Sequence, residues 1–288
     1  MSRFLFALVG AWLAPALIVA AFAESLAVRN ARIVALAPSI TELVFAAGAG
    51  TQLVAVSAWS DYPPAARSLP VVADAGGIAW ERLLAAKPGL VLYWASATRP
   101  ADLARLKALD IAAVPVDVRR LDDVADVIES IGRLAGTAGT AADRAAAYRQ
   151  KISSLRRQFS GSKPVRVFFE ISRVPLMTVN REHVIDDLLR LCGGQNVFAE
   201  LPALVGEPSR ERLRAARVDL LLIPEGKSTT GREDLRRTYS GLKAFNDGAW
   251  AVIPADPVLR PGPRLLEAAI SVCAAIDIRR RALGAKTD

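Results

Sequence analysis

Ala79–Tyr93, AWERLLAAKPGLVLY, reads as a short helix that runs through a Pro-Gly break into a buried strand, and Ser209–Ile223, SRERLRAARVDLLLI, repeats it. At a constant offset of 130 positions the copies share Glu81, Arg82, Leu83 with Glu211, Arg212, Leu213, then Ala85/Ala215, Ala86/Ala216 and Leu90/Leu220, with Lys87 and Arg217 in step. Glu, Arg, Leu and Ala recur in helices by propensity alone. An acidic residue near the start of both helices of a basic chain does not follow from propensity. A helix-then-strand unit used twice points to two lobes of similar build.

The flanks extend the pattern. Arg32–Ala37 is a short apolar strand, and the S-x-x-E spacing of Ser39 and Glu42 after it predicts a capping box opening a helix over Leu43–Ala47, ended by Gly48. A strand that turns straight into a helix N-terminus presents backbone N–H groups to a cleft. Strand Leu53–Ser57 opens into Trp59–Pro64, a loop with two aromatics and two prolines that holds a rigid apolar surface in the open. Beyond the first copy come helix Ala101–Ala108, strand Ile111–Val116 and helix Leu121–Leu134. Alternation at this spacing indicates a parallel sheet, with ligands at the strands' carboxyl ends, where Pro38, Trp59, Tyr62 and Trp94 fall.

Thr140–Phe159 has no Pro or Gly and places Ala147, Ile152, Leu155 and Phe159 at helical spacing. It predicts a long helix within residues 137–162, a stiff strut between two halves. The second half reads as strands Val165–Ile171 and Pro175–Val179, helix His183–Leu191 closed by Cys192-Gly193-Gly194, then the second copy with Ser209 as N-cap. A helical stretch Glu233–Phe245, strand Ala249–Ile253, helix Gly262–Ile276 and a frayed tail Arg279–Asp288 follow, with Asp256–Arg264 at a strand's carboxyl end. The fold expected is two α/β lobes, 24–136 and 163–288, with central mainly parallel sheets, joined by one long rigid helix, the ligand cleft between them.

Composition sets bounds. With 288 residues and 52% hydrophobic content the chain is neither disordered nor fibrous. Residues 1–23 read as a signal peptide, apolar from Phe4 to Ala20 with the cleavage site Ala21-Phe22-Ala23, giving an exported chain that starts near Glu24; a signal anchor is the alternative. Cys192 and Cys273 then default to one disulfide, with two buried thiols the alternative. The sole histidine, His183, excludes a His-rich metal site and reads as a surface or helix-cap group. The net charge of +8 is spread over arginines interleaved with acids (Arg119, Arg120, Asp122, Asp123, Asp126, Glu129), a solvated surface rather than a nucleic-acid module. No G-x-S-x-G elbow is present, and the histidine opens a helix beside no nucleophile, which argues against a hydrolase.

LAPSITELVFAAGAG, SDYPPAA, WERLLAAKPGLVL, PLMTVNREHVIDDLLRLCGGQNVF and SRERL, in this order, resemble the periplasmic binding proteins of ABC importers, of the vitamin B12 type within the group that also serves haem and ferric siderophores. The resemblance spans nearly all of the mature chain. It implies a non-enzymatic periplasmic monomer that holds a corrinoid, cobalamin or a precursor, between its lobes with little closing motion and delivers it to the importer's inner-membrane permease. The corrinoid is then a ligand and not a cofactor, no metal site is needed, and no nucleic acid is bound. Glu81 and Glu211 match the family's docking carboxylates, which meet permease arginines; such pairs are bidentate and fix orientation. The family's disulfide fits Cys192 and Cys273. Tyr62 and Trp94 would face the corrin from the first lobe, Arg260 from the second, with backbone groups near Ser39. Ala75, Val205 and Pro257 stand where cobalamin binders commonly carry tryptophans, and Ile171–Pro175 lacks an aromatic. The resemblance leaves two further ligands open: haem, with a Tyr62 tyrosinate on iron, and a ferric siderophore, met by Arg173, Arg260 and Arg264.

Overall fold

A computed structural model describes residues 32–226 and 232–285. The expected signal peptide and its cleavage site near Ala23 lie outside these residues.

The first sheet is built from β1 (Ile33–Ala35), β2 (Leu53–Ser57), β3 (Val71–Asp74), β4 (Gly77–Ile78), β5 (Leu90–Trp94) and β6 (Ala113–Val116), in the order β4-β3-β2-β1-β5-β6. Only β4 runs antiparallel to its neighbour. Its helices are α1 (Pro38–Ala46), α2 (Trp80–Ala85), α3 (Pro100–Ala108) and α4 (Asp123–Ala135), and α5 (Ala138–Gln158) follows. The second sheet takes β7 (Val165–Phe169), β10 (Gly194–Asn196), β12 (Leu220–Pro224) and β13 (Trp250–Ile253) in the all-parallel order β10-β7-β12-β13. A small antiparallel sheet of β8 (Ser172–Arg173), β9 (Leu176–Val179) and β11 (Val205–Gly206) stands beside it. Helices α6 (Val184–Leu191), α7 (Arg210–Ala215), α8 (Arg232–Tyr239), α9 (Lys243–Asn246), α10 (Ala255–Leu259) and α11 (Leu265–Gly284) complete the second lobe.

The repeat is realised residue for residue. The bounds of α2 and α7, and of β5 and β12, differ by 130 positions at all four ends. Leu83 and Leu213 are the buried residues of the two short helices, and each anchors its helix to the outer face of its sheet. Burial of one leucine contributes about 2 kcal/mol, enough to seat a six-residue helix that propensity alone would leave unformed.

Several local expectations are corrected. No capping box forms: α1 starts at Pro38 with Ala37 as an uncapped N-cap, because proline's fixed φ suits the first helical position. Ser39 and Glu42 therefore lie within the helix, buried. The stretch Glu233–Phe245 breaks into α8 and α9. The expected helix Gly262–Ile276 starts later and continues through the tail to Gly284, since Arg280 ties it down by donating to the carbonyls of Lys163 and Cys192. Residues 286–288 lie outside the described ones.

In α5 the buried face is Ala141, Ala145, Tyr148 and Ile152 rather than one containing Ala147, which is exposed. That face packs on α4 so closely that a Cβ on Gly132 would fall 2.2 Å from the Ala141 Cβ. One core cluster then runs unbroken from β1 and β5 through α4 and α5 to β7, β12 and α11. The two lobes thus share a packed interior along the long helix.

The disulfide joins Cys192, at the end of α6, to Cys273 in α11 across a sequence separation of 81. Cross-linking a loop of that size removes denatured-state entropy worth about 4 kcal/mol in the chain-entropy model. Cys192→Ser with Cys273→Ser should lower the denaturant unfolding free energy by about that amount, measured against wild type without reductant.

Candidate functional site

The carboxyl ends of the first sheet face the second lobe across a cleft of about 550 Å³. Leu36, Ala37 and Ser39 at the start of α1, Ala73 and Asp74 of β3, Trp94 closing β5, and Asp117–Arg119 after β6 form one wall; His183, Leu204, Val205, Leu259 and Pro261 form the other. Since no side chain caps α1, the positive end of its dipole opens on the cleft where Ala37 and Ser39 line it. The second lobe adds a hollow of about 390 Å³ at the ends of β7 and β12, bordered by Glu170, Ile171, Arg173, Val174 and Arg210 and sharing Leu259 with the cleft.

Of the residues singled out from the sequence, Ser39 and Trp94 come together in the cleft. Ala75 and Val205, standing where tryptophans would be, line it too and present small faces, whereas Pro257 is buried in α10. Tyr62 does not line the cleft. It borders a separate cavity of about 540 Å³ with Glu42, Tyr148 and Lys151, and the Arg264 guanidinium lies 4.3 Å from its ring centroid. The aromatic left bare at the carboxyl end of β2 is Trp59, 79% exposed and held at φ 66°. A left-handed backbone at a bulky residue costs about 1–2 kcal/mol, and hydrophobic burial of this ring does not repay it. The aromatic loop is legible in the sequence, but spacing gives no means of telling which of its rings stands exposed.

Arg260 reaches the first lobe. Its guanidinium donates to Asp61 at 2.5 Å and pairs with Asp256 at 3.1 Å, with Glu42 at 3.7 Å. Arg264 donates twice to Glu42, at 2.6 and 3.0 Å. The hydrogen bond from Arg260 holds the Asp61 carboxyl below its ordinary range. Burial raises Glu42, against the pull of Arg264 and Arg260, while the bond to Glu42 raises Arg264. Glu42, read from the sequence as half of a capping box, is instead the receptor for the other lobe. A pattern of local spacing cannot reveal a partner more than 200 residues away.

On the second-lobe wall, buried Glu170 takes the Arg173 guanidinium at 2.9 Å and a short hydrogen bond from the Tyr239 hydroxyl. Burial and the neighbouring Glu170 push the Tyr239 phenol up, so it stays protonated. Arg173 is therefore anchored within the wall.

Glu81 and Glu211 are both exposed, each in the first turn of its short helix. Ser209 caps α7 as expected, accepting from the Arg212 N–H at 3.2 Å, and the backbone N–H of Glu211 and then Ser209 lower the Glu211 carboxyl. Among the described residues no cluster of His, Cys, Asp and Glu is placed to hold a metal ion, and no helix is long and apolar enough to cross a membrane.

His183 is the N-cap of α6: its Nδ1 accepts the Ile185 N–H at 3.1 Å, which requires the neutral ring. Burial first, and Arg119 second, lower its pKa to about 4. The unfolded imidazole, near 6.5, takes up a proton that the folded one refuses, so this group withdraws stability as pH falls from about 6.5 towards 4. Between pH 7 and 4.5 wild type should lose about 2 kcal/mol more than His183→Asn, whose amide keeps an acceptor for the cap; urea unfolding at the two pH values reads the difference.

A model of the periplasmic binding protein family matches residues 33–257. The chain is 34% identical over 251 residues to the vitamin B12-binding protein of Vibrio cholerae serotype O1, covering 87% of this chain and 90% of that one. The crystal structure of the periplasmic vitamin B12 binding protein of Vibrio cholerae superposes with a TM-score of 0.80 at 32% identity, over 87% of this chain and 98% of that one. The apo periplasmic haem-binding protein from Roseiflexus sp. RS-1 superposes with a TM-score of 0.77 at 25% identity, over 87% and 99%.

Proposed function

From the premise that the chain belongs to the periplasmic binding protein family, we propose that it captures a corrinoid, cobalamin or a precursor, in the periplasm and hands it to the permease of an ABC importer, without catalysing a reaction. The observation that carries this reading is the cleft between the two sets of strand ends, with Trp94 in its wall, in a chain whose 34%-identical relative is a vitamin B12-binding protein. A large flat ring system is matched by indole faces, which supply apolar area at little entropic cost. Small Ala75 and Val205 leave room where relatives of this type commonly place bulk. The contacts assigned are Trp94 and Trp59 to the ring, and Ser39 with the α1 N-terminus to a polar edge. Arg260 contributes from the second lobe once its carboxylate partners share it.

The haem reading needs a tyrosine oxygen in the cleft. Tyr62 lies instead against Arg264 beside the separate cavity, and among the described residues no tyrosine lines the cleft. That geometry favours the corrinoid.

Titration of the mature protein with cobalamin, cobinamide, haem and a ferric siderophore tests the ligand. A corrinoid should bind, and Trp94→Ala should weaken it about tenfold or more, the loss of one stacked ring. No corrinoid binding beside tight haem binding with a tyrosinate spectrum would overturn the choice.

Docking is assigned to Glu81 and Glu211, exposed on matched helices, one from each lobe. Carboxylates so placed can each accept a bidentate arginine from a two-fold or pseudo-two-fold partner. Glu81→Ala and Glu211→Ala should leave ligand affinity intact and impair uptake. Normal uptake in cells carrying both changes would remove the assignment.

A further inference from the structure

Among the described residues, the wall that the second lobe gives to the cleft carries a single titratable side chain, His183. Its part as N-cap settles more than the start of α6. The Nδ1 that accepts the Ile185 N–H at 3.1 Å holds no proton, so the proton of the neutral ring sits on Nε2. Burial and the Arg119 charge keep the ring neutral against the pull of Asp117. The cap thereby makes the far edge of the imidazole a hydrogen-bond donor.

That donor is unused. Among the described residues no acceptor takes the Nε2 proton, yet the nitrogen is not sealed off from solvent. The neighbouring carboxylates are engaged elsewhere: Asp186 pairs with Arg190 at 3.0 Å, Asp187 accepts the Leu121 N–H at 2.9 Å, and Asp117 accepts from the Arg119 Nε at 2.8 Å. Because His183 lines the cleft, the open edge of its ring is the edge a ligand would meet.

The opposite wall holds a matching group. Arg119 lines the cleft with its side chain 39% exposed. Its backbone N–H goes to Asp123 and its Nε to Asp117, and among the described residues its terminal nitrogens donate to nothing. Donors from both lobes thus border one cleft. An acceptor oxygen is their complement, and the carboxamides and the phosphodiester of a corrinoid each supply one.

Resting on the reading of the cleft as a corrinoid site, we infer that His183 is a ligand-binding residue, whose Nε2–H donates, together with Arg119 from the other lobe, to an acceptor oxygen on a side chain of the macrocycle. One ring starts a helix with Nδ1 and holds cargo with Nε2. The cap fixes the rotation of the imidazole, so the donor is aimed before the ligand arrives and little side-chain entropy is lost on binding.

His183 is the sole histidine, so in the untagged mature protein it gives the only imidazole signals of a proton–nitrogen correlation spectrum. At neutral pH the free protein should show the Nε2–H tautomer; an Nδ1–H tautomer or a charged ring overturns the inference. Saturating corrinoid should move the Nε2 resonance while Nδ1 keeps its place. His183→Asn, whose amide retains an acceptor for the cap but falls short of the Nε2 position, should weaken binding about fivefold. Cobalamin and cobinamide separate the two acceptors: a loss with both marks a carboxamide, and a loss with cobalamin alone marks the phosphodiester that cobinamide lacks. An Nε2 resonance unmoved at saturation, or an affinity unchanged in a folded variant, overturns the inference and leaves the corrinoid reading standing. The wild-type spectrum keeps the test valid if the variant folds poorly. If no corrinoid binds, that reading falls, and haem and a ferric siderophore replace it in the same spectrum; no response of Nε2 to either overturns the inference as well.

Discussion

The pair of hydrogen bonds from Arg264 to Glu42 is the constraint on which the arrangement of the lobes rests. Glu42 sits on α1 of the first lobe with its side chain 1% exposed, and Arg264 precedes α11 of the second with 11%. A carboxylate so deeply buried is costly unless paired, so the first lobe is left with an unsatisfied charge whenever the second moves away. Arg260 adds a second link through Asp61, and the Leu121 N–H donates to Asp187 at 2.9 Å on another side of the junction. These polar contacts, with the shared core along α5, join the two lobes beside the cleft that lies between their strand ends.

Much of this order was legible in the sequence, for identifiable reasons. The repeat with its offset of 130 carries hydrophobic periodicity and a recurring acid, and both are local signals that survive without a structure. The same holds for the parallel sheets, the long helix and the cap at Ser209. The capping box failed because a proline one residue earlier claims the helix start, a rule that competes with S-x-x-E and wins here. The face of α5 was misjudged because apolar spacing alone does not tell which of several alanines is clamped against Gly132 of the neighbouring helix.

The site was legible in part. Ser39 and Trp94 lie in the cleft, since strand ends can be located from the pattern of strands. Tyr62 lies away from the cleft and Trp59 stands exposed because the turn of a loop depends on backbone torsion and on Arg264, which arrives from the far end of the chain. His183 read as a cap or surface group and is the cap of α6, but its burial beside Asp117 and Arg119 follows from the meeting of the lobes. Ion pairs that join residues 42 and 61 to residues 260 and 264 have no sequence signature at all.

The unbroken core along α4, α5 and α11 has a consequence for signalling. A hinge protein announces that it is loaded by a large change of shape, whose free energy a partner can read. A molecule whose halves share one interior has little such difference to offer, and an interaction that differs little between two states can bias their equilibrium only slightly. Any partner seated on the paired short helices must then sense occupancy through the cargo exposed between them, or through its own rearrangement. The message would lie in the contents of the vessel more than in its posture.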